Sequence, residues 1–201
     1  MACSSNSRRF RRSSPPDFLR STAAACSWMR VASRTCSTAR TRRCGRRAAV
    51  RRGGIADMKS LDTNILLYAA DEDCREHDAA IRLVNEALRS PADWMLADQV
   101  LFEMYAGLRH SAVFAKPLSA KEAARRVAFL RDESGFSCCC YELRSWPTIH
   151  AGLSTPAFPR RRTYDLVLAV TLRTAGVNEF YTRNVADFRD AGFARVVNPI
   201  D

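Results

Sequence analysis

The sequence Met58-Lys-Ser-Leu-Asp-Thr-Asn-Ile-Leu-Leu-Tyr68 joins a short apolar strand pattern to the beginning of a helical pattern. The strand pattern runs into Asp62, and the helical pattern begins at Asn64. A carboxylate at such a junction lies at the carboxyl end of a strand, where open α/β sheets bind their ligands. Asp is also a common N-cap of helices, and capping is the better explanation of Asp62 taken alone. Carboxylates later in the chain change this balance.

Short strand patterns alternate with helical patterns after this stretch. The predicted strands are residues 58–61, 94–97, 136–143, 179–182 and 195–197. The predicted helices are residues 64–70, 77–89, 99–108, 119–130, 145–153 and 163–175. Ser119 and Glu122 have the spacing of a capping box, and Gly176 ends the last helix. This alternation predicts an α/β fold of three layers, in which a mostly parallel central sheet carries helices on both faces.

The charge of the chain is divided unevenly between two regions. The 201 residues carry a formal net charge of +11, a value typical of nucleic-acid-binding proteins. Residues 1–57 contain 14 Arg, no Lys and two Asp, a charge of +12. Residues 58–201 contain 18 Lys and Arg against 19 Asp and Glu, a charge of −1. The basic excess therefore belongs to the first 57 residues, and the rest of the chain is nearly neutral.

Residues 1–57 are rich in Arg, Ser and Ala and have no helical or strand periodicity, so we expect them to be disordered. Three explanations of this extension are open. It resembles an organelle transit peptide in its composition, and it could bind nucleic acid through phosphate contacts. The third explanation, which we favour, is that translation begins at Met58, where the ordered pattern begins. The single folded domain is then residues 58–201.

The eight cysteines indicate a reducing compartment. None forms a Cys-x-x-Cys pair, so a zinc site or a disulfide framework is not expected. Cys138, Cys139 and Cys140 are predicted to be small buried hydrophobic residues on a strand. The sequence has no apolar run of about 18 residues, so we expect no transmembrane segment. We expect a cytoplasmic protein.

Four acidic residues occupy positions that suit a shared site. Asp62 and Asp187 follow strand patterns, whereas Glu103 and Asp165 lie in helical patterns beside apolar neighbours and are expected to point inward. Carboxylates that are brought together repel one another and need a cation. Oxygen ligands select Mg²⁺, with Mn²⁺ as an alternative. Such a site suits hydrolysis of a phosphodiester, because a cation can activate water and stabilise the charge on the phosphoryl group.

Each acid also has a structural explanation that involves no chemistry. Asp62 can cap a helix, and Asp165 can complement a helix dipole. Glu103 can be a surface residue, and Asp187 can begin a turn. For any one of the four acids, the structural explanation is at least as good as a catalytic role. It is less easily accepted for all four acids at once, because they lie on separate elements of one α/β pattern.

Three motifs around these acids resemble the PIN-domain family. They are Leu-Asp62-Thr-Asn64-Ile-Leu-Leu-Tyr, Tyr-Asp165-Leu-Val-Leu-Ala and Tyr-Thr182-Arg-Asn184-Val-Ala-Asp187-Phe188. Glu103 adds a helical acid between the first two motifs, and the ending Arg-Val-Val-Asn198-Pro199 is also similar. Within the family, the chain is similar to the VapC ribonuclease toxins of bacterial toxin–antitoxin pairs. The resemblance covers residues 58–201 and leaves out the extension.

The resemblance implies a Mg²⁺-dependent endoribonuclease with an RNA substrate, a cognate antitoxin partner and a homodimeric state. It implies that Asp62, Glu103, Asp165 and Asp187 surround the metal. The supporting polar residues would be Thr63, Asn64, Thr182 and Asn184. Asn184 stands where many relatives carry an acid, so the fourth ligand is either Asn184 or Asp187, and we favour Asp187 for its charge.

Two other functions stay open. One is a catalytically idle module that binds RNA or protein. The other is a Mg²⁺-dependent phosphatase, which is disfavoured because Asn64 occupies the place of a second Asp two residues after Asp62. The run Arg160-Arg-Arg162 is either a solvated loop or a phosphate contact, with equal support for each.

Overall fold

The computed structural model describes residues 58–200, and the predictions for residues 1–57 lie outside this range. Five short strands form the central layer. They are β1 (Met58–Leu61), β2 (Met95–Ala97), β3 (Ser137–Cys139), β4 (Val177–Tyr181) and β5 (Arg195–Val197). One parallel sheet has the order β1-β4-β5 and another has the order β2-β3, and a parallel bridge between Lys59 and Trp94 connects them. The order across the layer is therefore β3-β2-β1-β4-β5.

Helices connect these strands. They are α1 (Thr63–Ala70), α2 (His77–Arg89), α3 (Asp98–Leu108), α4 (Ala120–Ala128), α5 (Trp146–Leu153), α6 (Thr163–Thr174) and α7 (Val185–Phe188). The helix α4 continues into a π-helical turn, Phe129–Glu133, and 3₁₀ turns form at Pro91–Asp93, Leu143–Ser145 and Arg160–Arg162. None of the helices in residues 58–200 is long and apolar enough to cross a membrane.

The helices cover both faces of the sheet. The connections from β1 to β2 and from β2 to β3 advance in one direction, and the connection from β3 to β4 returns in the other. Parallel crossovers are right-handed, so a reversal of direction places the following helices on the opposite face. Contacts of α3 with β2, and of α6 with β2 and β4, join the two helical layers to the sheet. The predicted α/β fold with a parallel sheet between helices is confirmed.

The core consists of the apolar faces that the sequence pattern predicts. Leu61, Leu96 and Phe180, from three neighbouring strands, are fully buried. Burial of each such side chain stabilises the fold by roughly 1.5–3 kcal/mol. The predicted capping box is present at α4, where Ser119 Oγ accepts from the Glu122 amide (3.3 Å) and the Ser119 amide donates to Glu122 Oε2 (3.2 Å).

Gly107 of α3 packs against the Leu67 side chain of α1. A Cβ atom placed on Gly107 would lie 2.7 Å from Leu67 Cδ1, so a larger residue there would require that side chain to move. This contact matters for the site because Asp62 precedes α1 and Glu103 lies on α3.

The cysteine-bearing strand differs from its prediction. It spans only Ser137–Cys139, and Cys138 and Cys140 are exposed while Cys139 is half-buried. The prediction of three buried cysteines was therefore wrong. The physical reason is that β3 lies at the edge of the sheet and pairs with β2 alone.

Candidate active site

The strand order reverses between β1 and β4. The chain leaves β1 toward β2 and leaves β4 toward β5, so the two connections diverge and open a crevice at the carboxyl ends of these strands. Asp62 follows β1, and its backbone amide donates to the Tyr181 carbonyl at the end of β4 (2.9 Å). Asp62 and Thr182 therefore lie side by side at the crevice.

Asp62 is a buried carboxylate with three donors. The residue is only 7% exposed. Oδ1 accepts from the Thr63 amide (2.7 Å), and Oδ2 accepts from Asn64 Nδ2 (2.6 Å) and Thr182 Oγ1 (2.5 Å). Burial, with a smaller contribution from repulsion by Glu103 and Asp165, raises the pKa of Asp62 to about 6, although the hydrogen bonds from Thr182 and Thr63 lower it. Asp62 therefore caps helix α1 and is also a buried carboxylate with a raised pKa.

Thr182 connects the donors of Asp62 to the next loop. Its hydroxyl also accepts from Asn64 Nδ2 (3.2 Å) and from the Asn184 amide (3.0 Å). Asn64 Oδ1 in turn accepts from the Arg183 amide (3.3 Å). Of the four predicted supporting residues, Asn64 and Thr182 join this network by their side chains, whereas Asn184 joins it by its backbone and is exposed.

Glu103 faces the open side of the crevice. Its Oε2 accepts from Thr63 Oγ1 (2.8 Å), and its Oε1 accepts from Gln99 Nε2 (2.9 Å). Gln99 Nε2 also donates to the Tyr164 carbonyl (3.1 Å), which connects α3 to α6. Glu103 is exposed, so the prediction that it points into the protein was wrong. Its apolar neighbours on α3 face the core, and Glu103 lies on the side of α3 that borders the crevice.

Asp165 and Asp187 form the other side of the crevice, and both are half-buried. Burial raises the pKa of Asp165, and repulsion from Asp187 and Glu103 raises it further, whereas Arg162 and Arg161 lower it. Arg162 Nη2 donates to the Asp187 carbonyl, and Arg162 Nε lies 3.8 Å from Asp187 Oδ1.

The four predicted acids form one electrostatic cluster. Asp62 is affected by Glu103 and Asp165, and Asp165 is affected by Glu103 and Asp187. Asn184, the other candidate for the fourth position, has an exposed side chain at the start of α7. Asp187 is the one of the two candidates whose charge acts on another acid of the set, because it raises the pKa of Asp165.

The residues fit a hard divalent cation by chemistry, because their donors are carboxylate oxygens whose charges repel one another. Within residues 58–200, no three His, Cys, Asp or Glu side chains are grouped so that they could hold one metal ion. Mg²⁺ keeps several waters and is commonly bound through one or two carboxylates, so a pair of these side chains would be enough to hold it.

Two features of the site were not predicted from the sequence. Gln99 holds Glu103, and its position four residues earlier on the same helix face is a signal that could have identified it. Arg183 is held by Glu76 Oε1 (2.5 Å) and Tyr68 Oη (3.3 Å), and it lies over the Tyr68 ring. Arg75 and Arg183 lower the pKa of Glu76 to about 2. No local pattern identifies this contact, because Glu76 and Arg183 are 107 residues apart.

Comparison with known families agrees with this geometry. The model of the PIN domain matches residues 59–197, which is most of the chain. The chain belongs to the PIN-domain family. A PIN-domain relative, Ribonuclease VapC24 of Mycobacterium tuberculosis, is 42% identical over 146 residues, which are 71% of this chain and 97% of the relative. Within the PIN-domain family, the chain therefore belongs with the VapC ribonucleases.

Several solved structures share the fold at lower identity. VapC20 of Mycobacterium tuberculosis, described as a toxin that cleaves the sarcin–ricin loop, has a TM-score of 0.52 at 20% identity and covers 67% of this chain and 95% of its own. FitAcB of Neisseria gonorrhoeae has a TM-score of 0.50 at 18% identity, with 71% and 98% coverage. VapBC2 of Rickettsia felis, bound to a DNA fragment from its promoter, has a TM-score of 0.50 at 14% identity. It covers 70% of this chain and 98% of its own.

Proposed function

We propose that the protein is a Mg²⁺-dependent endoribonuclease and the toxin of a type II toxin–antitoxin pair. The observation that carries this proposal is a buried carboxylate, Asp62, at the point where the strand order reverses, with Glu103 and Asp165 near enough to raise its pKa. A cluster of hard oxygen donors at this place suits a cation and a phosphodiester rather than a hydrophobic ligand. The relative VapC24, which matches over nearly its whole length, is named a ribonuclease.

Asp62 and Asp165 would hold the principal cation, with Glu103 and Asp187 completing the acidic cluster. When bound, the cation supplies Lewis-acid activation of the phosphodiester and of the attacking water. The cation would also offset the burial and the repulsion that together raise the pKa of Asp62 and of Asp165. Mn²⁺ has the same preference for oxygen donors and is the alternative metal.

The protein's own residues orient these carboxylates. The Thr63 amide, Asn64 and Thr182 fix both oxygens of Asp62. Thr63 and Gln99 each hold one oxygen of Glu103, so a proton or water at this carboxylate would be placed with little rotational freedom. Positioning of this kind lowers the entropic part of a reaction barrier.

The basic 3₁₀ turn Arg160–Arg162 supports an RNA substrate. It lies immediately before α6, whose first turn carries Asp165. Arg160 and Arg161 are exposed, and Arg161 is near enough to lower the pKa of Asp165. Exposed guanidinium groups beside a carboxylate cluster would bind the phosphates that flank the cut, and such contacts position a strand without reading its sequence.

The partner in this proposal is an antitoxin, one segment of which covers the acidic crevice. A basic side chain in that segment would offset the charge of the carboxylates. A structure with the same fold, VapC20, is described as a toxin, which supports a partner that restrains the activity. The homodimeric state and the cytoplasmic location stay predictions, and sedimentation of the purified protein measures the first directly.

The decisive experiment measures cleavage of single-stranded RNA with and without Mg²⁺, using Asp62→Ala as the inactive control. Cleavage that needs both the metal and Asp62 supports the proposal. RNA binding without cleavage would instead identify an idle binding module, and hydrolysis of a small phosphomonoester but not of RNA would identify a phosphatase. Expression in a host cell tests the toxin assignment: growth should stop, and a small adjacent gene should restore it.

A further inference from the structure

A cavity of about 660 Å³ lies beside Glu103, between α3 and α6. This volume is within the roughly 300–1,000 Å³ that is typical of small-ligand sites. Its lining is mostly apolar and includes Asp98, Gln99, Phe102, Glu103 and Tyr164. The proposed metal cluster uses only Glu103 of these residues, so the remainder of the cavity has no role in the mechanism described above.

Two aromatic residues of this lining are unusually exposed. Phe102 is 69% exposed and Tyr164 is 71% exposed. Each immediately precedes an acid of the cluster, because Phe102 is followed by Glu103 and Tyr164 is followed by Asp165. Large apolar side chains that are grouped at a surface usually mark a binding site. Their place in the sequence ties this surface to the two carboxylates.

Three polar residues of the lining, Asp98, Gln99 and Glu103, already have partners, so the surface between them suits an apolar, flat ligand. Arg131 forms an ion pair with Asp98 and offsets its charge. Gln99 bridges Glu103 and the Tyr164 carbonyl, and so holds the two sides of the cavity together. The basic turn Arg160–Arg162 adjoins Tyr164 through the start of α6 and offers positive charge to a polyanion that enters from that side.

We propose that this cavity binds an unpaired RNA base adjacent to the phosphate that is cut, with Phe102 and Tyr164 as its stacking surfaces. The proposal rests on the proposed ribonuclease function and adds a site for the substrate. Sequence-tolerant binding of single strands commonly combines aromatic stacking with a basic path for the backbone, and Tyr164 with Arg160–Arg162 supplies both. A base in the cavity would place its own phosphate near Glu103 and Asp165.

The test measures stacking separately from cleavage. Oligoribonucleotides that carry 2-aminopurine at single positions are titrated with the Asp165→Asn chain in Mg²⁺, and fluorescence quenching reports a stacked base. Phe102→Ala and Tyr164→Ala should each abolish quenching at one position and weaken binding by roughly 5- to 150-fold, the usual effect of losing one stack. Tyr164→Phe keeps the ring and should retain both. The matched control is Trp146→Ala, since Trp146 is 52% exposed and lies outside the cavity lining.

The outcomes separate this inference from the proposed function. Loss of quenching in both alanine variants, with Tyr164→Phe and Trp146→Ala unchanged, supports the base site even if the wild-type chain does not cleave RNA. Wild-type cleavage together with quenching that ignores Phe102 and Tyr164 overturns the base site and leaves the ribonuclease intact. Sedimentation of the same variants supplies the remaining comparison. Conversion of a dimer to a monomer by Tyr164→Ala would assign the cavity to a second copy of the chain and overturn the inference.

Discussion

The two sides of the acidic crevice are built in different ways. Asp62 is buried and accepts three hydrogen bonds, one of which is a 2.5 Å bond from the Thr182 hydroxyl. Asp165 and Asp187 are half-buried, and their charge is offset mainly by arginines, with Arg162 3.8 Å from Asp187. Directional hydrogen bonds in a buried site fix a carboxylate, whereas partly exposed ion pairs constrain it weakly. The Asp62 side is therefore the rigid half of the site, and the Asp165–Asp187 side is the adaptable half.

Removal of one charge from the adaptable half should have the largest effect on activity. Asp165→Asn keeps the shape of the side chain and deletes its charge, so we expect RNA cleavage to fall by at least the roughly 10²–10⁴-fold typical of a catalytic group. Cleavage assays in saturating Mg²⁺ measure the loss, and circular dichroism checks the fold. An Asp165→Asn chain with full nuclease activity would exclude Asp165 from the site.

Loss of the Thr182 hydroxyl should disturb the rigid half. Thr182→Val is nearly isosteric, but it leaves Asp62, Asn64 and the Asn184 amide without a shared partner. We expect activity to fall by roughly 10- to 100-fold, as for other residues that orient metal ligands, and stability to fall by about 1–3 kcal/mol. Thr174→Val is the control, since Thr174 bonds only weakly to Ser145 (3.3 Å) away from the crevice. Equal effects of the two substitutions would contradict a special role for Thr182.

The pKa of Asp62 predicts a pH dependence of stability in metal-free protein. Its folded pKa of about 6 lies above the ordinary value of 3.8, so the folded chain binds more protons than the unfolded chain between these values. The free energy of unfolding should therefore fall as pH rises from about 4 to about 6, by roughly 3 kcal/mol.

Urea unfolding of the wild type and of Asp62→Asn across this range measures that contribution as a difference. The Asn variant should lack this part of the slope, and Mg²⁺ should reduce it in the wild type by favouring the ionised carboxylate. If the unfolding free energies of the two metal-free proteins depend on pH in the same way, the pKa of Asp62 is not raised in the folded chain.

Arg162 should contribute much less than Thr182. Arg162→Gln removes a partly exposed ion pair with Asp187, and such pairs contribute about 0–1 kcal/mol. We expect a change in cleavage of less than about tenfold, which diminishes at high salt because exposed charges are screened. A loss as large as that of Thr182→Val would show that the Asp187 side is as rigid as the Asp62 side.

Removal of residues 1–57 should affect neither half. The motif-bearing domain begins at Met58, so a chain of residues 58–201 should keep its melting temperature and its Mg²⁺-dependent cleavage. Salt-sensitive RNA affinity that disappears on truncation would identify the extension as a phosphate-binding tail. Mass spectrometry of the native protein locates its first residue, and a truncated chain that cannot fold would contradict the predicted start.

The strand and helix patterns predicted most of the fold because these elements bury one apolar face each, as in α2 and β4. The edge strand β3 was mispredicted, because its apolar cysteines lack a neighbour on one side. The motifs identified the four acids as candidates, and Glu103 and Asp165 are close enough to Asp62 to raise its pKa. The ion pair of Glu76 with Arg183 and the exposure of Phe102 could not be predicted, because each depends on residues that meet only in the folded chain.

The hydrogen bond between Asp62 and Thr182 joins residues 120 positions apart, near the beginning and the end of the domain. During synthesis, Asp62 leaves the ribosome long before Thr182 is made, and β1 has no β4 to pair with. Domains fold as units once their long-range contacts can form. A nascent chain therefore lacks the assembled crevice until β4 and Thr182 have emerged, and the proposed nuclease would be inactive before then.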